Sequence, residues 1–243
     1  MRALAVTPTY NEIENVEALI TTFLDAAPGV DILIVDDASP DGTADIVSTL
    51  KEKEPRIHLL KREGKRGLGL AYVDGFEWAL KQGYEAVFSM DADLSHNPSD
   101  IPRLMSLLEE CDVVVGSRYV GGRVSVINWP ISRLILSVLA GKYVRLITGL
   151  RLSDPTSGFR GFRANVLKSI GLDTIKSNGY SFQVETLYRA HRCGFKIAEA
   201  PIVFTERREG KSKMSLSIIL EAAVMPWRLR LKPFKPATYS NAR

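Results

Sequence analysis

Apolar and polar positions follow two rhythms in the first half of the chain. Short runs at 3–8, 31–36, 56–61, 85–90 and 113–116 read as strands, the second of them continuous in Ile32-Leu33-Ile34-Val35. Unbroken apolar runs of this length fit strands covered on both faces. Between them, residues 12–27 place Ile13, Val16, Leu19, Ile20 and Phe23 at helical spacing. The same period predicts helices over 41–53, 69–81 and 101–109. Strand–helix alternation at this spacing predicts βαβ units, a mostly parallel sheet flanked by helices, and ligands at the carboxyl ends of its strands.

The pattern changes after Gly116. A helix rich in Ile, Leu and Val is expected over 131–148, a short apolar piece over 159–162, a helix over 180–192 and a strand region over 195–204. A last amphipathic helix is expected over 215–229, kinked or interrupted by Pro226. The division expected is 1–213 as the main domain, including the amphipathic helix at about 129–149. Residues 214–243 then form a C-terminal amphipathic helix and a loosely ordered basic tail.

Composition narrows the class. The chain has 243 residues, 45% of them hydrophobic, enough for a sizeable core. Its cysteines, Cys111 and Cys193, have no metal-ligand spacing. The N-terminal apolar run is too short for a signal peptide, and no run of about 18 uncharged apolar residues is present to span a bilayer. The net charge of +4 is unevenly spread. Residues 113–153 hold six basic side chains (Arg118, Arg123, Arg133, Lys142, Arg145, Arg151) and no acidic one; residues 207–243 hold nine basic and two acidic. Such a surface attracts phosphates, anionic lipid or nucleic acid. The basic windows lack interleaved aromatic platforms and a nucleic-acid motif, which argues against nucleic acid.

Carboxylates gather where the strands end. The first strand runs into Tyr10-Asn11-Glu12, the second into Asp36-Asp37-Ala38-Ser39-Pro40-Asp41, and a later one into Asp91-Ala92-Asp93. In a strand, Asp91 and Asp93 share one side, and like charges so close are costly without a cation. Three such clusters at one edge imply an uncompensated negative field. A divalent cation bridging a phosphate resolves it, since hard oxygen ligands suit Mg²⁺ or Mn²⁺. The segment Gly64-Lys65-Arg66-Gly67-Leu68-Gly69 is not a dinucleotide fingerprint, yet it can form a phosphate- or sugar-facing turn.

Pro8-Thr9-Tyr10-Asn11-Glu12, Val35-Asp36-Asp37-Ala38-Ser39-Pro40-Asp41-Gly42-Thr43 and Asp91-Ala92-Asp93 resemble the GT-A glycosyltransferases of family 2. Four further segments narrow the likeness to the dolichol- or polyprenol-phosphate mannose synthases. They are Asp91–His96, Gly116-Ser117-Arg118-Tyr119, Asp154-Pro155-Thr156-Ser157-Gly158-Phe159-Arg160, and Arg207…Gly210…Ser212-Lys213. The resemblance covers roughly residues 3–213 and implies a GT-A fold with C-terminal amphipathic interface helices. It implies inverting transfer of mannose from GDP-mannose to a polyprenyl phosphate, with Asp91 and Asp93 binding the metal on the donor diphosphate. Ser95 is a third candidate ligand, at a position where some relatives carry Gln. Pro8, Tyr10, Glu12, Val35 and Asp37 are expected to line the nucleoside pocket, with Ala92, Arg118, Arg207 and Lys213 completing the donor site.

A phosphate monoester is largely dianionic at neutral pH, so its transfer chemistry needs cations that align two anions rather than a general base. Arg118, Arg133 and Lys213 are expected at the acceptor phosphate. Ser137, one turn beyond Arg133, lies on the same helix face. Asp91, Asp93 and Arg118 form the expected catalytic set; His96, before the Asn97-Pro98 turn, is not in it. Arg160 is expected to pair with Asp154. The apolar stripe of the 131–148 helix turns basic at Lys142 and Arg145, and the last helix leads into Trp227, Arg228, Arg230 and Lys232. Both features suit a membrane interface. Some relatives add membrane spans after this point, so peripheral attachment at the cytoplasmic face or a membrane partner protein is expected. The competing readings are UDP-glucose as donor, or a non-catalytic nucleotide-binding subunit.

Overall fold

The computed structural model describes residues 1–64, 67–177, 179–205, 216–232 and 234, with backbone only over 216–219. In chain order the strands are β1 (Ala3–Thr9), β2 (Val30–Asp36), β3 (Ile57–Lys61), β4 (Ala86–Ser89), β5 (Val113–Ser117), β6 (Val126–Ile127), β7 (Arg160–Arg163), β8 (Ile197–Pro201) and β9 (Phe204–Thr205). The helices are α1 (Val16–Ala26), α2 (Thr43–Lys51), α3 (Leu68–Lys81), α4 (Ile101–Leu107), α5 (Ile131–Thr148), α6 (Ala164–Ser169), α7 (Gly179–Arg192) and α8 (Leu216–Leu231).

Seven strands form one sheet in the order β3-β2-β1-β4-β7-β5-β8, and β6 pairs with β9 beside it. Pairing is parallel except where β7 inserts antiparallel between β4 and β5. Two antiparallel steps restore the direction, so β1, β2, β4 and β5 all point their carboxyl ends to one edge. The register aligns Thr9 with Asp36 and Val6 with Ser89. The segments after β1, β2 and β4 therefore leave the sheet side by side.

Strand alternation builds a core on each face. Leu4, Val6, Leu33 and Val35 face a core shared with α3, α6 and α7; Ala3, Ala5, Ile32 and Ile34 face one shared with α1, α2 and α4. A Cβ on Gly75 would collide with the Val6 side chain, so glycine lets α3 lie directly on β1 and β2. Tyr72, Phe76, Phe162 and Phe182 pack in a buried aromatic cluster, with Tyr72 stacked on Phe182 at 5.5 Å.

The parallel half follows the hydrophobic pattern closely. Three features depart from it. The short apolar piece at 159–162 is the inserted antiparallel strand, the 195–204 region splits into β8 and β9, and α8 runs unbroken through Pro226. α6 and β6 carry too few residues to show a period. Among the described residues no helix is long and apolar enough to cross a membrane.

Candidate active site

At the ends of β1 and β2, side chains zip two loops together. The Asp36 carboxylate accepts from the Thr9 hydroxyl at 3.0 Å, and from the Ser39 amide and hydroxyl at 2.9 and 2.6 Å. Asp41 accepts from the Ile13 and Thr43 amides at 3.1 and 3.0 Å and from the Thr43 hydroxyl at 2.6 Å. Burial acts to raise the Asp41 pKa, but these donors outweigh it and hold the carboxyl below its ordinary value. Asn11, Ala38 and Leu94 take positive φ of 58°, 56° and 59°. Each lies just past one of the three strand ends, and for Ala and Leu that conformation stores strain of the kind found at functional sites.

Asp37 is 5% exposed. One oxygen pairs with Arg62 and the other accepts from the Gly67 amide at 3.1 Å; Arg62 also donates to Asp74 at 2.7 Å. The expected negative field is therefore largely compensated within the protein. Asp36 and Asp41 serve the loops, Asp37 has its own cation, and Asp91 and Asp93 lie two residues apart past the end of β4. Gly67 gives its amide to Asp37 rather than to a phosphate; Lys65 and Arg66 lie outside the described residues.

Asp91 and Asp93 sit on the loop after β4, just past the strand end, as the 85–90 run predicts. The buried Tyr72 hydroxyl donates to Asp91 Oδ1 at 2.9 Å, and the Asp91 amide donates to His96 Nδ1 at 3.2 Å. Burial, then the Asp91 charge, pushes the Tyr72 phenol well above its usual pKa, so it stays a donor. A Cβ on Gly158 would lie 3.3 Å from Asp91 Oδ2, so the bare backbone there makes room for the carboxylate. Asp93 Oδ1 accepts from the Ser95 amide and hydroxyl at 3.1 and 2.5 Å. Among the described residues no cluster of three or more His, Cys, Asp or Glu side chains is arranged to hold a metal. Two oriented carboxylates at a strand end fit a hard cation, which takes oxygen ligands.

Across the site, Arg118 follows β5 and is 6% exposed. It grips Asp154 through Nε and Nη2 at 2.6 and 2.7 Å, and Nη2 also donates to the Thr156 hydroxyl at 3.0 Å. Burial alone acts to raise the Asp154 pKa, yet the Arg118 guanidinium holds it below the usual carboxylate range. Rings of Tyr119, Trp129 and Phe204 surround Arg118 at 5.3 to 5.5 Å. Arg133, at the start of α5, stacks on Trp129 at 4.3 Å, and the Tyr119 hydroxyl donates to Ser137 at 2.8 Å.

The family profile described as Glycosyl transferase family 2 matches residues 4–171. The chain belongs to that family. Within the family it is 47% identical over 224 residues to the undecaprenyl-phosphate mannosyltransferase of Micrococcus luteus, covering 92% of each chain. It is 45% identical over 233 residues to the polyprenol monophosphomannose synthase of Mycolicibacterium smegmatis, covering 94% of this chain and 88% of that one. Among solved structures, a mannosyltransferase from Pyrobaculum calidifontis in complex with GDP-Man and Mn²⁺ superposes with a TM-score of 0.66. It is 18% identical, over 97% of this chain and 66% of that one, and shares the fold. The chain is a glycosyltransferase of the GT-A type.

Several sequence expectations change within this family 2 scaffold. Val35 is wholly buried in the α3-side core, so only its main chain can border a nucleoside, and Ala92 is likewise packed inward. Arg118 is locked to Asp154 and does not present a free fork to a phosphate. Arg160 does not pair with Asp154. It is fully buried and donates to the carbonyls of Gln183 and Pro155 and to the Thr186 hydroxyl. Burial brings its pKa down to about 9, which leaves it a cation at neutral pH. Ser95 spends its hydroxyl on Asp93. His96 stacks on Phe159 and orients the Asp91 loop. Pro8 lies within the last residues of β1, and Tyr10 and Glu12 follow the strand, Glu12 accepting from Asn15 at 2.9 Å. Arg207 and Lys213 lie outside the described residues.

Sequence reasoning missed Tyr72, Arg62 and Trp129. A tyrosine on an apolar helix face reads as core, and an arginine after an edge strand reads as surface. Trp129 had a visible signal, an aromatic between Asn128 and Pro130 just before a helix carrying Arg133.

Proposed function

We propose that the protein transfers mannose, with inversion, from GDP-mannose to a polyprenyl phosphate, giving polyprenyl-phosphate mannose and GDP. The identity to the two named relatives over nearly the whole chain carries this reading. Their names specify mannose and a polyprenyl acceptor, which favours GDP-mannose over UDP-glucose and an enzyme over a non-catalytic subunit.

In this reading the nucleoside lies over the β1 and β2 loops. Pro8, Tyr10, Glu12 and the Val35 main chain form its walls, and the Asp37–Arg62 pair forms its floor. Asp91 and Asp93, with the Ala92 backbone between them, would hold Mg²⁺ or Mn²⁺, which would supply positive charge to neutralise the leaving diphosphate. Tyr72, His96 and Ser95 fix the two carboxylates, so little reorganisation accompanies binding. Arg133 and Ser137 hold the acceptor phosphate. Arg118 acts as a positioning residue, joining the end of β5 to the 154–158 loop beneath Trp129. Arg207 and Lys213 are assigned to substrate phosphates on the sequence pattern alone.

An acceptor phosphate oxygen attacks the anomeric carbon, a new C–O bond forms as the bond to the diphosphate oxygen breaks, and GDP leaves with the electron pair. The phosphate dianion, with a second pKa near about 6, is its own nucleophile. No protein base has to move a proton.

The exposed apolar residues of α5 and α8, including Ile135, Leu136, Leu139, Leu220 and Trp227, form the side presented to the membrane that holds the lipid acceptor. The Trp227 indole donates to the Tyr143 hydroxyl at 3.0 Å, which ties the two helices together. Attachment is peripheral, at the cytoplasmic face, with or without a membrane partner protein.

The test is to supply polyprenyl phosphate in detergent with Mn²⁺ or Mg²⁺ and to offer labelled GDP-mannose and UDP-glucose separately. Label moving to the organic phase from GDP-mannose alone is expected. Label from UDP-glucose alone would replace mannose with glucose, and label from neither would contradict transferase activity of the isolated chain.

A further inference from the structure

The C-terminal end of α5 carries a feature the transfer reaction does not use. Gly149, in the left-handed conformation with φ of 75°, caps the helix and turns the chain sharply back. That turn folds the 150–153 segment along the last two turns of α5 and leaves a groove of about 600 Å³ between them. Lys142, Arg145 and Arg151 line it, together with Leu146 and Ser153.

Three observations point to an anion. Lys142, Arg145 and Arg151 are exposed, and among the described residues no carboxylate pairs with any of the three. The neighbouring acid, Glu199, is engaged by the amides of Ser153 and Asp154 at 2.6 and 2.9 Å. Three like charges around one concavity repel each other, so an anion seated there relieves them. Leu146, 85% exposed, projects at the rim, so apolar surface and cationic lining meet at one spot. A phosphate on an acyl-bearing molecule matches both.

We propose that this groove is a second phosphate site, taking the headgroup of an anionic glycerophospholipid while Leu146 enters the acyl region. The proposal rests on the membrane-attached reading above. The groove is not the acceptor site. Twelve residues of helix separate Arg145 from Arg133, about 18 Å at the helical rise. A bystander lipid held there anchors the far end of α5 and sets the angle at which the Arg133 end meets its acceptor.

The experiment is sedimentation of the full chain with phosphatidylcholine vesicles, with and without a minority of phosphatidylglycerol. Each basic group near an anionic surface is worth about a fivefold gain in partitioning, so the wild type should bind the anionic vesicles roughly tenfold or more tightly. The variant Lys142→Gln/Arg145→Gln/Arg151→Gln should lose that gain and keep its binding to neutral vesicles. It should also keep transfer to a detergent-dispersed acceptor. The control variant Arg228→Gln/Arg230→Gln should lose much less.

Equal losses in both variants would mean diffuse charge and overturn a built site. Loss of transfer in detergent would place the groove in the acceptor site and overturn it too. Inorganic phosphate that displaces the protein from anionic vesicles at matched ionic strength would make free phosphate the ligand and overturn the lipid assignment. Equal binding to both vesicle types would overturn the groove alone, whereas no binding to either would overturn the membrane reading beneath it.

Discussion

Asp91 is gripped on two sides, by the Tyr72 hydroxyl at 2.9 Å and by the close approach of Gly158. A methyl group at Gly158 would force the carboxylate to shift by a few tenths of an ångström. Misplacements of about 1 Å at a reacting centre cost about a hundredfold, so Gly158→Ala should lower kcat by about tenfold with little change in Tm. Steady-state kinetics beside a melting curve checks this. Arg118 and Asp154 set a different expectation. Asp154→Asn leaves Arg118 buried without its counter-charge and should cost about 3–5 kcal/mol in urea unfolding at neutral pH. The Asp154 carboxyl is depressed in the folded state, so its contribution is fully present above its unfolded pKa of about 3.9. It is lost as pH falls through the lower folded value. The stability gap between wild type and variant should thus be flat from about pH 5 to 8 and narrow below about pH 4. At this scale the aspartates were legible because acidic residues ending an apolar run are conspicuous. Their partners were not, since Tyr72, Gly158 and Thr156 gain meaning only when α3 and the 154–158 loop close on the strand end.

Among the elements, β1, β2 and β4 could be read from unbroken apolar runs, and the sheet delivers their ends to one edge. The inserted strand β7 could not. Four residues, Arg160–Arg163, show no period of their own, and pairing between β4 and β5 alone makes them a strand. α8 shows the converse, a helix held through a proline by packing against α5 and α7. α5 carries the acceptor assignment. Its first turns bring Arg133 onto Trp129 and Ser137 under Tyr119, at the end nearest Arg118. Arg133→Ala removes a charge-assisted bond worth about 1.5–3 kcal/mol, so the KM for polyprenyl phosphate should rise at least about tenfold. The KM for GDP-mannose should stay within about twofold. Equal losses for both substrates would move Arg133 to the donor.

Over the whole molecule, exposed apolar side chains and unbalanced basic charge gather in the same region. The sheet and its covering helices bury two cores, while α5 and α8 leave large apolar side chains at the surface beside a basic stretch with no acid between residues 113 and 153. The sequence pattern showed the stripe and its basic end; which residues face outward required the packing of α5 on α8. A soluble enzyme gains nothing from such a face, whereas an enzyme whose acceptor lies in a bilayer uses it to bring a membrane phosphate to a soluble nucleotide-sugar. The chemistry this permits is a single in-line displacement by the acceptor phosphate, with the protein contributing alignment and charge but no nucleophile. The anomeric configuration of the product tests that directly. The purified protein, given α-linked GDP-mannose, polyprenyl phosphate and Mn²⁺, should yield the β-linked lipid phosphate by NMR of the anomeric carbon and proton. An α-linked product would require a second displacement through a protein group, and would contradict this account of the site.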